Sequence, residues 1–589
     1  MKEKLNEIAF KFKKEGVVPF WMWNDRLEKE ELIKQLGEIQ DKGMNQVIIH
    51  PRHGLVTPYL SEEWFTAFSW FLNEAEKRDM GVWIYDELNW PSGYAGGKVL
   101  ANHPEFQAKH IVKTEKGFEV RKTTWHPAYS QDYYIDVLSP KAVDTFIETT
   151  YNQYWKRFKD SFGVSIRGFF TDEPGLYNNF ACFDTNSLPW SEALVPFFHQ
   201  RYGCKLESVL KDIWEEKGAQ TIEARVRFWE TISLLYQKSF FRKIQDWCHE
   251  RGVAFIGHVL AEESLVDTAK TQGNFFTTME FLDFAGYDLL NRLEPKSIIA
   301  AKLANSASKL FNLYGVSAET FGMFGRGLTS EEMKRVADWQ IKMGLDVLIP
   351  HAMYYSLRGD RYNDCPPSLF EDKYWKGFKE FVNFVRDKMK ERGKSQTDIA
   401  IYYPIETVWG YLSPINYSKA EVINQTFKTT SLACYNLGID FDYLTSEAIL
   451  KNTISKYSYL ILPSTEVLPV EVLKKIKSFV QRDGKIIVIG ELPKFATNTL
   501  DQKVFDKELI QILDEFQRII LPKESKTFKM TSFTDRFQGL LRQRIPPSLQ
   551  AKARHLAKFL GDLQSRQSFA LQRPTKIEKE LSALIKVNK

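Results

Sequence analysis

No segment of the chain stays apolar for the ~18 residues that crossing a bilayer requires. Nor is the composition collagenous or wholly disordered: 43% of the 589 residues are hydrophobic and 26% charged. The opening stretch, MKEKLNEIAFKFKKEG, has lysines but no continuous apolar core and no small-residue cleavage site. It does not read as a secretory signal, and a cytoplasmic location is the expectation. Cysteine is scarce. Cys182, Cys204, Cys248, Cys365 and Cys434 are odd in number, scattered and without CxxC spacing, which argues against a disulfide framework and against a zinc site. A basic surface for nucleic acid is also missing from the body of the chain. The net charge of +5 comes from residues 541–589, where 11 Lys and Arg stand against 3 Asp and Glu, so no nucleic-acid partner is expected.

Aromatic rings are plentiful at 14%, with 15 Trp and 25 Tyr. Such faces serve core packing first, and they also grip the apolar C–H faces of sugars. Length allows about four ordinary domains, or fewer if one is a large barrel. Between residues 17 and 356 one theme recurs: a short β-rich run ending in polar residues, then a longer amphipathic stretch. The β-runs fall at 17–25, 45–54, 80–93, 165–175, 253–263, 282–290, 310–322 and 345–356. Eight alternating units predict a (β/α)8 TIM barrel over residues 1–395, with its active site at the C-terminal strand ends. The helix after the second strand, SEEWFTAFSWFLNEAEKR, opens with a capping Ser61 and a Glu pair. An insertion at about 94–140, with VRKTTW and YYIDVLSP, reads as a small β-excursion walling the cleft.

A second α/β pattern begins near Gln396: TDIAIYYP, a helix around 419–437, GIDFDYLT, YSYLILPSTEVL, the helix PVEVLKKIKSFVQRDG and KIIVIGELP. It predicts a smaller flavodoxin-like, doubly wound domain over 396–530. ILPSTEVL holds no cysteine nucleophile, so the domain is expected to be structural or oligomerising. Residues 531–589 read as a basic tail.

Glycosidic bond cleavage needs two carboxyl groups facing across a sugar: one protonates the leaving oxygen, the other attacks or activates water. The fourth strand ends in Asp172-Glu173-Pro174 and the seventh in Ser317-Ala318-Glu319-Thr320. Glu173 as acid and Glu319 as base or nucleophile is the leading assignment. Strand five adds His258, Glu262 and Glu263, and strand three Asp86 and Glu87 before Trp90. So many carboxylates repel unless they are protonated, paired with Arg, or bridged by a hard cation such as Ca²⁺, for which Glu262 and Glu263 are the candidate ligands. No organic cofactor is implied. His351 and Tyr354 on strand eight, and His50 and His53 after strand two, are candidate substrate contacts. Trp21, Trp23 and Asn24 on strand one, with Trp90, could floor the site.

PFWMWNDRLEKEELIKQLGEIQDKGMNQVIIHPRHGL, then YLSEEWF, then GVWIYDELNWPSGYAGG, resemble the N-terminal barrel signature of glycoside hydrolase family 106, the α-L-rhamnosidases, over roughly residues 16–360. The following domain is similar to the trimerisation domain behind the barrel of family 42 β-galactosidases. The resemblance implies hydrolysis of terminal α-L-rhamnosides with inversion, calcium at the site, and catalytic glutamates among Glu173, Glu263 and Glu319. It also implies a homo-oligomer acting on an oligosaccharide or glycoside. Two alternatives stand beside it: a retaining β-galactosidase-like enzyme, and a non-catalytic carbohydrate-binding protein. A barrel enzyme for a phosphorylated metabolite has only GMFGRG (322–327) to offer as a phosphate loop.

Overall fold

The computed structural model describes residues 2–177, 186–290, 297–358, 368–393 and 396–497. The basic tail at 531–589, Cys182 and Cys365 lie outside these residues. By compactness the chain divides into residues 1–432 with 440–516, and residues 433–439 with 517–589. The first unit carries everything that follows. No described helix is long and apolar enough to cross a membrane.

In chain order the strands are β1 (Phe20–Trp23), β2 (Gln46–Pro51), β3 (Gly81–Tyr85), β4 (Lys109–Thr114), β5 (Gly117–Lys122), β6 (Ile166–Asp172), β7 (Ser187–Trp190), β8 (Ala254–His258), β9 (Phe284–Leu289), β10 (Gly315–Thr320), β11 (Val347–Pro350) and β12 (Met353–Tyr354). Parallel pairing runs β12-β1-β2-β3-β6-β8 and β9-β10-β11. Two seams close the ring. The Asp283 N–H donates to Phe255 O at 2.8 Å, and a Cβ on Gly286 would lie 1.7 Å from Gly257 O, a contact only glycine permits. On the far side, Val18 N–H donates to Leu348 O at 3.0 Å and Leu348 N–H to Gly16 O at 2.8 Å. The result is the expected eight-stranded barrel, its eighth strand continued by β12 alongside β1.

Strand period decides which side chains enter the barrel. Phe20, Met22, Ile48, Trp83, Tyr85, Phe170, Ile256, Phe284, Val347 and Ile349 form its apolar interior. The lower end is closed by a helix, Lys2–Glu15, whose apolar positions recur at the i, i+3, i+4, i+7 spacing of one helical face. Its Leu5, Ile8, Ala9 and Phe12 join the barrel cluster. Phe12 packs on Trp83 at 4.5 Å and on Phe284 at 5.0 Å between ring centroids.

The insertion does form a small sheet, by a different route from the one its sequence suggested. β4 and β5 form an antiparallel hairpin, and β7, from the segment after β6, adds to its other edge. YYIDVLSP makes only an isolated bridge, Ile135 with Gln107, before Ser139 caps the helix Pro140–Thr149. In the second α/β part, β13 (Ile399–Tyr402), β14 (Asp442–Leu444), β15 (Tyr459–Pro463) and β17 (Lys485–Ile489) form a parallel sheet in the order β14-β13-β15-β17, as a doubly wound fold requires; β16 (Val467–Pro469) and β18 (Phe495–Thr497) pair beside it. Trp409 Nε1 donates to Gly273 O at 2.9 Å and Asn424 Oδ1 accepts from Leu265 N at 3.0 Å, so this layer braces the segment after β8.

Candidate active site

Above the apolar layer the inward positions turn polar. His50, Tyr85, Asp172, His258, Asp288, Glu319 and His351 stand at or just beyond the C-terminal ends of β2, β3, β6, β8, β9, β10 and β11, all buried. Placement at strand ends is what a barrel active site needs.

His258 is the hub. Its Nε2 lies 3.1 Å from Asp172 Oδ1 and 3.1 Å from Glu319 Oε2, while Nδ1 lies 3.7 Å from Glu262 Oε1. Burial works against the imidazolium, but the hydrogen bonds to Asp172 and Glu319 outweigh it and raise the His258 pKa well above the usual histidine range. Asp172 shows the reciprocal effect. Burial would raise it, and the hydrogen bond and charge of His258 hold it below the ordinary carboxylate range. Tyr85 donates to the other Asp172 oxygen at 2.5 Å and stacks on His50 at 3.5 Å, and Arg52 Nη1 sits 3.3 Å from His50 Nε2. On the other side of Glu319, His351 Nε2 is 3.9 Å from Oε1.

Glu173 follows β6 directly with φ +45°, a left-handed backbone that ordinary side chains avoid and that active sites often hold under strain. Its carbonyl accepts from Tyr177 Oη at 2.7 Å, and Tyr236 Oη donates to the next carbonyl, of Pro174, at 2.5 Å. Burial first, then the neighbouring Asp172, pushes the Glu173 carboxyl well above its usual range. Asp288 is raised in the same way, by burial and then by Glu319, and its Oδ1 has no hydrogen-bond partner among the described residues. Side-chain donor atoms of Glu173, His258 and Asp288 lie within 4.8 Å of one another, as do those of Asp172, His258 and Glu319. Carboxyl groups whose pKa values are pushed apart, Asp172 down and Glu173 up, thus share an imidazole at one barrel mouth, an arrangement suited to acid-assisted bond cleavage.

Other expected site residues lie elsewhere. Trp21 and Trp23 alternate with the inward Phe20 and Met22, so they point outward and pack with Trp64 and Phe71 of the helix Glu62–Lys77. Asn24 pairs with the Ser356 backbone at 2.9 and 2.8 Å. None of these three floors the site; of the four expected there, Trp90 alone stays partly exposed. Glu87 is occupied by its own loop, accepting from the backbone N–H groups of Leu88, Gly93, Tyr94, Ala95 and Gly96 at 2.6–3.1 Å. Asp86 accepts from Ser92 at 2.5 Å and Tyr151 at 2.6 Å. Glu262 is buried and Glu263 only partly so, on the turn after β8. Tyr354 lies in the barrel cluster, and His53 is exposed on the rim, stacked on Tyr129 at 4.3 Å. Tyr85 and Asp288 were not singled out from the sequence; both stand at or near the end of a barrel strand, the same signal that marked His258 and Glu319.

The fold is an eight-stranded α/β barrel with buried carboxyls at its strand ends. No family model and no curated protein matches the sequence. Among solved structures, the chain is similar to a rhamnosidase from Novosphingobium sp. PP1Y, with a TM-score of 0.60 over 87% of this chain and 72% of that one at 12% identity. It is similar also to a β-galactosidase from Bacillus circulans sp. alkalophilus (TM-score 0.59, 82% and 72% covered, 13% identity). Gan42B, a GH42 β-galactosidase, gives 0.58 over 83% and 74% at 13% identity. At such identities the likeness is one of fold.

Proposed function

We propose that the chain is a glycoside hydrolase that removes terminal sugars, with α-L-rhamnosides as its first substrate class. The observation that carries this is the placing of Glu173, buried at a left-handed turn with its pKa raised, and Glu319 around the one imidazole of His258. Glu173 donates its proton to the leaving oxygen, and Glu319 activates water or attacks the anomeric carbon. The motifs of the first barrel strands and the fold shared with a rhamnosidase support the choice of sugar. A panel of aryl glycosides tests it: turnover of the α-L-rhamnoside is the expected result, and turnover of none would leave a binding protein.

A second reading, a retaining β-galactosidase-like enzyme, is favoured by the fold shared with β-galactosidases. The anomer first released separates the two, since inversion belongs to the rhamnosidase reading and retention to the other.

Calcium belongs to the same proposal. The buried Asp288 oxygen without a partner among the described residues, grouped with Glu173 and His258, suits a hard cation better than Glu263 does; Glu262 accepts from the Asp288 backbone N–H at 3.3 Å. Bound there, the ion would offset the charge of the acidic mouth. Assembly with further copies of the chain is also proposed, on the resemblance of residues 396–530 to a trimerisation domain; light scattering would show it as a mass above that of one chain.

A further inference from the structure

The insertion that walls the mouth carries more exposed ring surface than a wall needs. Trp125 is partly exposed, and its indole lies flat on Tyr177 with centroids 4.1 Å apart and planes 5° apart. Tyr177 is the residue whose hydroxyl donates to the Glu173 carbonyl at 2.7 Å. The ring of Trp125 is therefore one residue removed from the general acid. Four residues on, Tyr129 is 53% exposed and has φ +59°, a conformation costly for a bulky side chain. It stacks on the exposed His53, two residues beyond β2. Tyr133 is 39% exposed and stacks on His126 at 4.6 Å. Hydrogen bonds pin this segment in place. Ala128 N–H donates to Trp90 O at 3.3 Å, Tyr134 Oη donates to Ser92 O, and His126 Nδ1 lies 3.0 Å from Asp132 O.

One stack, Trp125 on Tyr177, thus sits at the Glu173 end of the mouth by β6, and a second, Tyr129 on His53, at the rim beyond β2, with Trp125 and Tyr129 four positions apart in the chain. The side of a glycosidase site nearest the acid is the side of the leaving group, because the acid protonates the oxygen that departs. A solvated aromatic ledge there has two apolar faces to offer and no charge, which suits a ring with an apolar face. We propose that Trp125 and Tyr129 form the leaving-group subsite, and that it takes a six-membered ring stacked on their faces: a phenolic aglycone or the C–H face of a second pyranose. This rests on the glycosidase reading for the meaning of "leaving group", while the binding surface itself does not.

Binding is therefore tested apart from turnover. Saturation-transfer NMR on the full chain would use two free probes, 4-nitrophenol and methyl β-D-glucopyranoside. The first responds if the occupant is phenolic, the second if it is a sugar. Binding of either, weakened about tenfold by Tyr129→Ala, as the loss of one stacking contact predicts, supports the subsite. Tyr129 is exposed, so that variant should keep the wild-type melting temperature. Trp125→Phe, which preserves a ring on Tyr177, should weaken binding less than Trp125→Leu. On an active enzyme, Tyr129→Ala should raise KM for a ring-bearing α-L-rhamnoside and leave KM for the methyl α-L-rhamnoside unchanged. Failure of both probes to bind, or binding indifferent to Tyr129→Ala and Trp125→Leu, overturns the proposal even if the chain hydrolyses glycosides. Absence of hydrolysis with ring binding intact overturns only the function proposed above.

Discussion

His258 Nε2 and Glu319 Oε2 meet at 3.1 Å although 61 residues separate them in the chain. They face one another because each stands at an inward position near the end of its strand, and closure of the β8–β9 seam sets β8 two strands from β10. The same nitrogen serves Asp172, so a single imidazole fixes two carboxylates from opposite sides.

Removing that imidazole should expose the dependence. His258→Ala leaves Asp172 and Glu319 buried without their shared donor, and deleting one member of a buried charged pair costs about 3–5 kcal/mol. Calorimetry should show the lower melting temperature. kcat should fall more than KM rises, since the loss is in the placing of Glu319. An unchanged melting temperature would mean that the two carboxylates do not rely on His258.

Glu173→Gln and Glu319→Gln keep the shape of each side chain and remove its acid–base capacity. Each should lower kcat by about 10²–10⁴-fold or more while the chain keeps its fold, Glu319→Gln at a lower melting temperature because it takes the charge facing His258 away. A rate within about tenfold of wild type would exclude that residue from proton transfer.

If Glu173 is the acid, it acts while protonated; its pKa is raised, first by burial and then by Asp172, so activity should fall on the alkaline side as that proton is lost. A kcat–pH profile should lack this limb in any residual activity of Glu173→Gln.

Stability should also fall with alkali. Burial raises Asp86, Asp136 and Glu406 to about 7, and Glu87 and Glu262 to about 8. The folded chain binds these protons more tightly than the unfolded one. Their stabilisation is complete below the ordinary carboxylate range and is lost as pH rises through 7 to 8. Melting temperature should therefore decline over this window. Glu406→Gln should flatten the decline, since Glu406 sits buried between Tyr402 at 3.0 Å and Ser446 at 2.5 Å. A melting temperature that rises with pH would contradict the protonated state.

Phe12→Ala removes a fully buried ring from the base of the barrel, at a cost of about 3–5 kcal/mol. Chemical denaturation should report it with little change in KM, because Phe12 lies at the opposite end from the carboxyls.

The eight units, the helix capped by Ser61 and the doubly wound sheet were legible because period and turn chemistry are local. Glu173, Glu319 and His258 were legible for the same reason, as polar residues closing apolar strands. Parity was the harder signal. Trp21 and Trp23 look like a sugar floor until Phe20 and Met22 are seen to take the inward positions. Glu87 looks like a ligand for substrate until the loop folds back and delivers five N–H groups to it. Both depend on partners that no local pattern encodes. The opening helix was read only for what it is not, a secretory signal, although its spacing already marked an apolar face.

That helix gives the barrel a floor. With Phe12 beneath Trp83 and the interior above them filled, traffic through the site is confined to the strand-end mouth. In the proposed reaction, a sugar held deepest, against Glu319 and His351, would have to wait for whatever occupies the rim. Release would then be ordered, the outer fragment first and the inner one last, so the freed terminal sugar should act as a competitive inhibitor and the leaving group as a noncompetitive one.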